Sequence, residues 1–308
     1  MFDNYYKISQ ASNFGVIASA PTAAGLSVVA AKKVTTAIVP TLHSISLWDL
    51  KTSKKTNSFT FLDPSLNGPV TCLFDETAGN GPRTIFVGFQ TGQICTAAIK
   101  PDPKNRTQIT LSLEHTFEAH RKAVTAFDCM QSRSILISGS KDTDLLVWDL
   151  TEGRLLRRLR AHTNEITNIK NNENLVFSSS KDGLIKIWDI DTFICLKTIS
   201  GHNGEIWSMA FDKTSNCLIT GSVDDKLRSW SFGTKRKNGE NLKIEYNGFI
   251  ETLAKKRICS MLNFGSLLFV VSTNRKIEVF YRRSRKEIDK KVNKRLKRTR
   301  SEVRKIFI

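Results

Sequence analysis

Apolar and polar positions alternate in short stretches along this chain, and three of those stretches are near copies of one another. AHRKAVTAFDC, from Ala119, leads into SILISGSKDTDLLVWDL; AHTNEITNIK, from Ala161, leads into LVFSSSKDGLIKIWDI; GHNGEIWSMAF, from Gly201, leads into CLITGSVDDKLRSWSF. The alternation has period two and is rich in Ile, Val, Leu, Phe and Thr. Helical spacing is absent, so each copy predicts several short, half-buried strands. Polar turns at Lys141-Asp142, Lys181-Asp182-Gly183 and Val223-Asp224-Asp225 interrupt the pattern before the last strand. That strand carries Trp148, Trp188 and Trp230, which are 40 and then 42 residues apart.

Weaker copies flank these three. VTTAIVPTLHSISLWDL keeps Trp48 but has Leu42 where the others have Asp. TIFVGFQTGQICTAAIK puts Ala97, and LLFVVSTNRKIEVFYR puts Phe280, at the tryptophan position. Self-similarity at this period resembles the WD repeat, a four-stranded blade of a β-propeller. The expectation is an all-β WD-repeat β-propeller over residues 1–281, with about six blade equivalents and a seventh missing or incomplete. The stretch FGVIAS, Phe14 to Ser19, reads as one more strand, of the kind that completes the blade at the other terminus and latches a ring. Such a ring is a rigid docking platform, and its function lies in surfaces and appendages.

Each clear copy also repeats a set of polar residues. A His precedes the first strand, a Ser or Thr lies in the second, an Asp in the turn, and the Trp follows. The sets are His120, Ser138 or Ser140, Asp142 and Trp148; His162, Ser178 or Ser180, Asp182 and Trp188; and His202, Thr220 or Ser222, Asp224 and Trp230. Read as chemistry, they are Ser/His/Asp triads. Read as architecture, they are buried hydrogen-bond relays, and three identical copies favour the second reading, because buried polar groups need partners and a repeat supplies the same solution each time. No isolated nucleophile, phosphate-cradling glycine loop or metal cluster accompanies them, so neither an enzyme nor a cofactor or metal site is expected. His162 with Glu165 and His202 with Glu205 have no third ligand nearby in sequence. Trp207 alternates with Ile206 and Met209 and reads as core, and the six cysteines read as small buried hydrophobes of a reducing compartment.

Charge changes the picture at one end. The net charge is +18, and residues 281–308 hold 13 Lys/Arg against 3 Asp/Glu. Ile288, Val292, Leu296 and Val303 fall at helical spacing there, which predicts a basic amphipathic helix over residues 282–308. Its candidate contacts to RNA or a partner are Lys286, Lys290, Lys291, Lys294, Arg295, Lys297, Arg298 and Arg300. A segment of this kind seeks polyanions. Its apolar stripe is thin and lacks Trp, which argues against a membrane surface. MFDNYYK lacks the basic and apolar regions of a signal peptide, and the expected setting is cytosol or nucleus.

FGVIAS, SGSKDTDLLVWDL, LRAHTNEIT, SSSKDGLIKIWDI with FICLKTISGHNGEIWSMAF, and KIEVFYRRSRKEIDKKVNKRLKR together resemble one family more closely than WD repeats in general. It is the N-terminal propeller of the large nucleolar tandem WD-repeat proteins of the UTP-B subcomplex, part of the U3 small nucleolar ribonucleoprotein of the small-subunit processome. The junction from Lys276 to Arg298, a strand leaving the ring through a basic helix, is the most specific part. The resemblance implies a non-catalytic scaffold in ribosome biogenesis and pre-18S rRNA processing, located in the nucleus and nucleolus. The implied partners are other WD-repeat proteins of UTP-B and U3 snoRNA or pre-rRNA particles, with no membrane and no small-molecule substrate. Family members continue past the helix into further domains, so the resemblance also implies a truncated or reduced chain. The alternative is a WD-repeat adaptor of another complex, such as a ubiquitin-ligase receptor or a signalling platform.

Overall fold

The computed structural model describes residues 29–31, 34–40, 44–49, 54–60, 68–76, 83–101, 109–160, 162–233, 243–265, 267–274 and 276–281. They form a six-bladed β-propeller. Blade 1 contains β1 (Val29–Ala31), β2 (Val34–Pro40), β3 (Ser44–Asp49) and β4 (Lys54–Thr60). Blade 2 contains β5 (Val70–Glu76), β6 (Arg83–Phe89), β7 (Gln93–Pro101) and β8 (Ile109–Glu118). Blade 3 contains β9 (Val124–Met130), β10 (Ile135–Ser140), β11 (Asp144–Asp149) and β12 (Arg154–Arg160). Blade 4 contains β13 (Ile166–Asn172), β14 (Leu175–Ser180), β15 (Leu184–Asp189) and β16 (Ile194–Ser200). Blade 5 contains β17 (Ile206–Asp212), β18 (Cys217–Ser222), β19 (Lys226–Phe232) and β20 (Ile244–Glu251). Blade 6 has three described strands, β21 (Ile258–Phe264), β22 (Leu267–Ser272) and β23 (Ile277–Tyr281).

Every blade is an antiparallel meander in chain order. Strand β5 packs on β9, β9 on β13, β13 on β17 and β17 on β21, so the first strands of blades 2 to 6 stand side by side around the axis. The core lies between blades rather than within them. Ile38, Ile45 and Leu47 of blade 1 meet Val70, Ile85, Val87 and Phe89 of blade 2. Phe177, Ile185 and Ile187 of blade 4 meet Ile206, Met209, Leu218 and Trp230 of blade 5. Gly139 is required by this stacking, because a Cβ there would stand 2.7 Å from Ile166 Cγ2 in the next blade. On blade 6, Leu262, Ile277, Val279 and Tyr281 are exposed, and the described residues form no seventh sheet.

Two register shifts recur and fix the equivalences. The first lies near the start of the first strand and skips Thr71, Thr125, Thr167, Trp207 and Cys259 in blades 2 to 6. The second lies between the third and fourth strands immediately before the tryptophan, at Leu47/Trp48, Val147/Trp148, Ile187/Trp188 and Ser229/Trp230. In blade 2 it falls at Thr96/Ala97, so Ala97 occupies the tryptophan position. Phe280 does so in blade 6, pairing with Leu268 as Trp230 pairs with Leu218. The FGVIAS strand and the basic helix over 282–308, with its eight candidate contact residues, lie outside the described residues.

Candidate functional site

The second strand of each clear repeat carries its hydroxyl residue two positions from the partner of the tryptophan. Leu136 pairs with Trp148, so Ser138 is the diagonal neighbour of the indole on the same face. Trp148 Nε1 donates to Ser138 Oγ at 3.1 Å, and Ser138 Oγ lies 2.9 Å from His120 Nε2. His120 Nδ1 lies 3.0 Å from Asp142 Oδ2. These partners assign one direction to the chain. The indole N–H donates to the hydroxyl, the hydroxyl to Nε2, and Nδ1–H to the carboxylate, so every polar atom in line is used.

Blade 4 repeats the arrangement with Trp188, Ser178, His162 and Asp182, with contacts of 3.0, 2.8 and 2.8 Å. Blade 5 repeats it with Trp230, Thr220, His202 and Asp224 at 3.4, 2.8 and 3.2 Å. The alternative hydroxyls do other work. Ser140, Ser180 and Ser222 donate to the carbonyls of Ala123, Asn164 and Glu205, closing the turn onto the entry of the first strand. Ser138, Ser178 and Thr220 are fully buried, so none offers its oxygen to a substrate.

The carboxylates are tuned by this setting. Burial pushes the Asp142 carboxyl up, but hydrogen bonds from the His120 ring and from the backbone N–H of Arg121 and Asp144 outweigh it and bring it down to about 2. The same opposition lowers Asp182. Asp224 is lowered against burial chiefly by Arg228, whose Nη1 sits against both Asp224 and His202. Replacing Asp182 with Ala is expected to destabilise the fold by about 1–3 kcal/mol, because His162 Nδ1–H then has no acceptor. A urea-unfolding midpoint equal to wild type would contradict that role.

A second set of contacts is invisible as a motif. The skipped threonines each bridge two blades. Thr71 Oγ1 donates to Val124 O at 2.6 Å, Thr125 Oγ1 to Ile166 O at 2.6 Å, and Thr167 Oγ1 to Ile206 O at 2.7 Å. Blade 5 has Trp207 in this place. The indole is half-buried, with Lys181 Nζ 4.8 Å and the Arg257 guanidinium carbon 4.1 Å from its ring centre. Trp207 Nε1 donates to Glu205 Oε2 at 3.1 Å. Trp207 is therefore no core residue, contrary to the alternation reading. The cysteine reading also needs correction, since Cys72 and Cys95 are buried while Cys129, Cys195, Cys217 and Cys259 are half-buried; all six are free thiols.

Glu165 pairs with Lys181 at 2.5 Å. Among the described residues no group of His, Cys, Asp and Glu is arranged to hold a metal ion. An open cleft of about 730 Å³ is lined in part by Asp75, Asp128, Lys170, Glu173 and Lys213. Burial pushes the Asp128 carboxyl up there, against the pull of Lys170 and the Asn171 N–H.

The family model for the WD domain, G-beta repeat, matches residues 111–149, 153–189 and 193–231. The chain carries WD40 repeats. Each match begins on the outermost strand of one blade and ends on the third strand of the next, as β8 to β11 do, so every repeat ties two blades together covalently. Over 68 residues the chain is 37% identical to the nuclear distribution protein nudF of Aspergillus niger, covering 22% of this chain and 15% of that protein. Over 74 residues it is 36% identical to the nuclear distribution protein PAC1-1 of Uncinocarpus reesii, covering 24% of this chain and 16% of that protein. Those stretches are a small part of either relative. WD repeats of this kind serve scaffolds and adaptors, and neither relative carries a name from ribosome assembly.

Proposed function

We propose that the chain is a non-catalytic scaffold of small-subunit ribosome assembly, working in the nucleolus with WD-repeat proteins of the UTP-B subcomplex and with U3 snoRNA or pre-rRNA particles. One observation carries this reading. Directly after β23, residues 282–308 concentrate 13 Lys/Arg against 3 Asp/Glu, a polyanion-seeking segment attached to a docking ring. Resemblance of the Lys276 to Arg298 junction to the nucleolar tandem WD-repeat proteins supplies the choice of particle. The relays support a platform rather than an enzyme, because their hydroxyls are sealed inside the blades.

A fluorescent fusion of the chain is expected to concentrate in nucleoli and to become diffuse when residues 282–308 are removed. A second reading, an adaptor in nuclear distribution, is favoured by the 37% identity over 68 residues to nudF. An even cytoplasmic signal from the intact fusion would support that reading and count against the nucleolar one.

A further inference from the structure

We infer that the free apolar face of blade 6 is covered by the chain's own segment 282–308, through the stripe of Ile288, Val292 and Leu296, which turns the Lys/Arg side of that segment to solvent. The inference rests on the helical spacing of those residues, and on neither a nucleolar location nor an RNA partner.

Cross-strand register defines the face. Leu262 pairs with Phe269 and Phe269 with Val279; Ser260 pairs with Val271 and Val271 with Ile277; Leu267 pairs with Tyr281. Directly paired residues share a side of the sheet, so these apolar side chains stand together beside Ser260. The opposite side, with Ile258, Met261, Leu268 and Val270, is buried against Ala210 and Leu227 of blade 5. Earlier blades show what the free side is built for. Phe269 and Val279, the latter one residue before the tryptophan position, correspond to Ile137 and Val147 in blade 3 and to Phe177 and Ile187 in blade 4. Those four are 0% exposed, because the next blade lies on them. On blade 6, Leu262 and Ile277 are each 62% exposed, and Phe269 and Val271 are half-buried. An apolar sheet face of this kind calls for a cover.

The occupant follows from what lies next to the face. Tyr281 ends β23 on that side, and residue 282 continues from it. Ile288, Val292 and Leu296 recur every fourth residue, so on a helix they form one narrow stripe about 12 Å long. The strand from Ile277 to Tyr281 is about 13 Å long, so stripe and face match in length. Residues 282–287 reach about 20 Å when extended, enough to double back from Tyr281 over the sheet. So short a tether holds the stripe at a roughly millimolar effective concentration, which puts it ahead of a second copy of the chain in dilute solution. The charges agree. Glu278, on the same strand, points to the other side of the sheet and accepts from the N–H groups of Leu253 and Ala254. Lys290, Lys294 and Lys297 lie opposite the stripe on a helix, so covering the face buries none of these cations.

The test is hydrogen–deuterium exchange of the full chain, read by mass spectrometry, with a synthetic peptide of residues 282–308 as the uncovered reference. Three variants are compared with wild type. Val292→Gln/Leu296→Gln makes the stripe polar with good helix formers. Ile277→Thr/Val279→Thr makes the face polar with good strand formers. Lys290→Gln/Lys294→Gln changes the side turned away. In wild type the amides of residues 288–296 are expected to exchange about tenfold or more slowly than in the peptide. That slowing should vanish in the stripe and face variants and persist in the lysine variant. Residues 267–281 should exchange faster in the stripe variant, whose substitutions lie outside the ring, so the location stays readable if the face variant misfolds. No slowing in wild type would overturn the inference, as would no change at residues 267–281 in the stripe variant. Slowing that survives in a folded face variant would place the segment elsewhere and overturn it too. Equal loss in the lysine variant would make the contact ionic, and slowing that rises with protein concentration would give the face to a second copy; either result overturns the inference. So would free exchange at residues 288–296 together with protection of residues 14–19 that disappears in the face variant, which would assign the face to the FGVIAS strand.

Discussion

Trp188→Ala is expected to lower the free energy of unfolding by about 3–5 kcal/mol, the largest effect of any single relay substitution. The indole is 5% exposed and sits among Ile137, Val147, Ile166, Ile169 and Val176 at the seam between blades 3 and 4. Truncation removes that contact area and leaves a cavity whose walls are strands in two hydrogen-bonded sheets, which collapse poorly. It also removes the donor to Ser178. Trp188→Phe separates the two contributions. It keeps most of the packing and loses the N–H, so it should cost about 1 kcal/mol. Urea unfolding followed by circular dichroism gives both values. Equal costs for the two variants would show that the seam does not depend on the volume of the indole.

The second large effect is a loss of stability in mild acid through His202. Burial, assisted by the charge of Arg228 and only partly offset by Asp224, lowers this imidazole from 6.5 to about 4. The sign follows from linkage. Below about pH 6.5 the unfolded chain takes up a proton that the folded site refuses until about pH 4, so the native state loses ground throughout that window. The total is about 3 kcal/mol, present in full above the upper limit and gone below the lower one. Arg228→Met takes away the assisting charge and should flatten the acid slope, although it also removes an ion pair from Asp224. Urea midpoints at pH 7, 6 and 5 test this in wild type and variant. A wild-type midpoint unchanged across that range would contradict the burial of a neutral His202. A further loss below pH 4 is expected as Asp142, held down to about 2, is finally protonated.

The blades and relays were legible in the sequence because a repeat states the same solution several times. His, hydroxyl, Asp and Trp recur at matching offsets, and the structure brings them within hydrogen-bond range in blades 3, 4 and 5. Which hydroxyl joins the relay was not legible, since Ser138 and Ser140 lie two apart and share a face. Cross-strand register decides it, through the pairing of Leu136 with Trp148. Trp207 was misread for a definite reason. The register shift between Ile206 and Ser208 adds a residue to the strand, and alternation counted through it assigns the wrong side. The same shift hides the threonine bridges, whose function comes from a bulge that no periodicity reports. The half-buried cysteines follow position as well. Cys195 lies on the outermost strand of blade 4, and Cys259 is the skipped residue of β21.

The reading of function turns on what the intact chain holds on to in the cell. Affinity purification of the full-length chain, with its co-purifying proteins and RNA identified, tests that most directly. Recovery of U3 RNA together with UTP-B subunits, diminished when residues 282–308 are deleted, is the expected result. Recovery of neither, with a stable set of partners unrelated to the pre-ribosome, would contradict it.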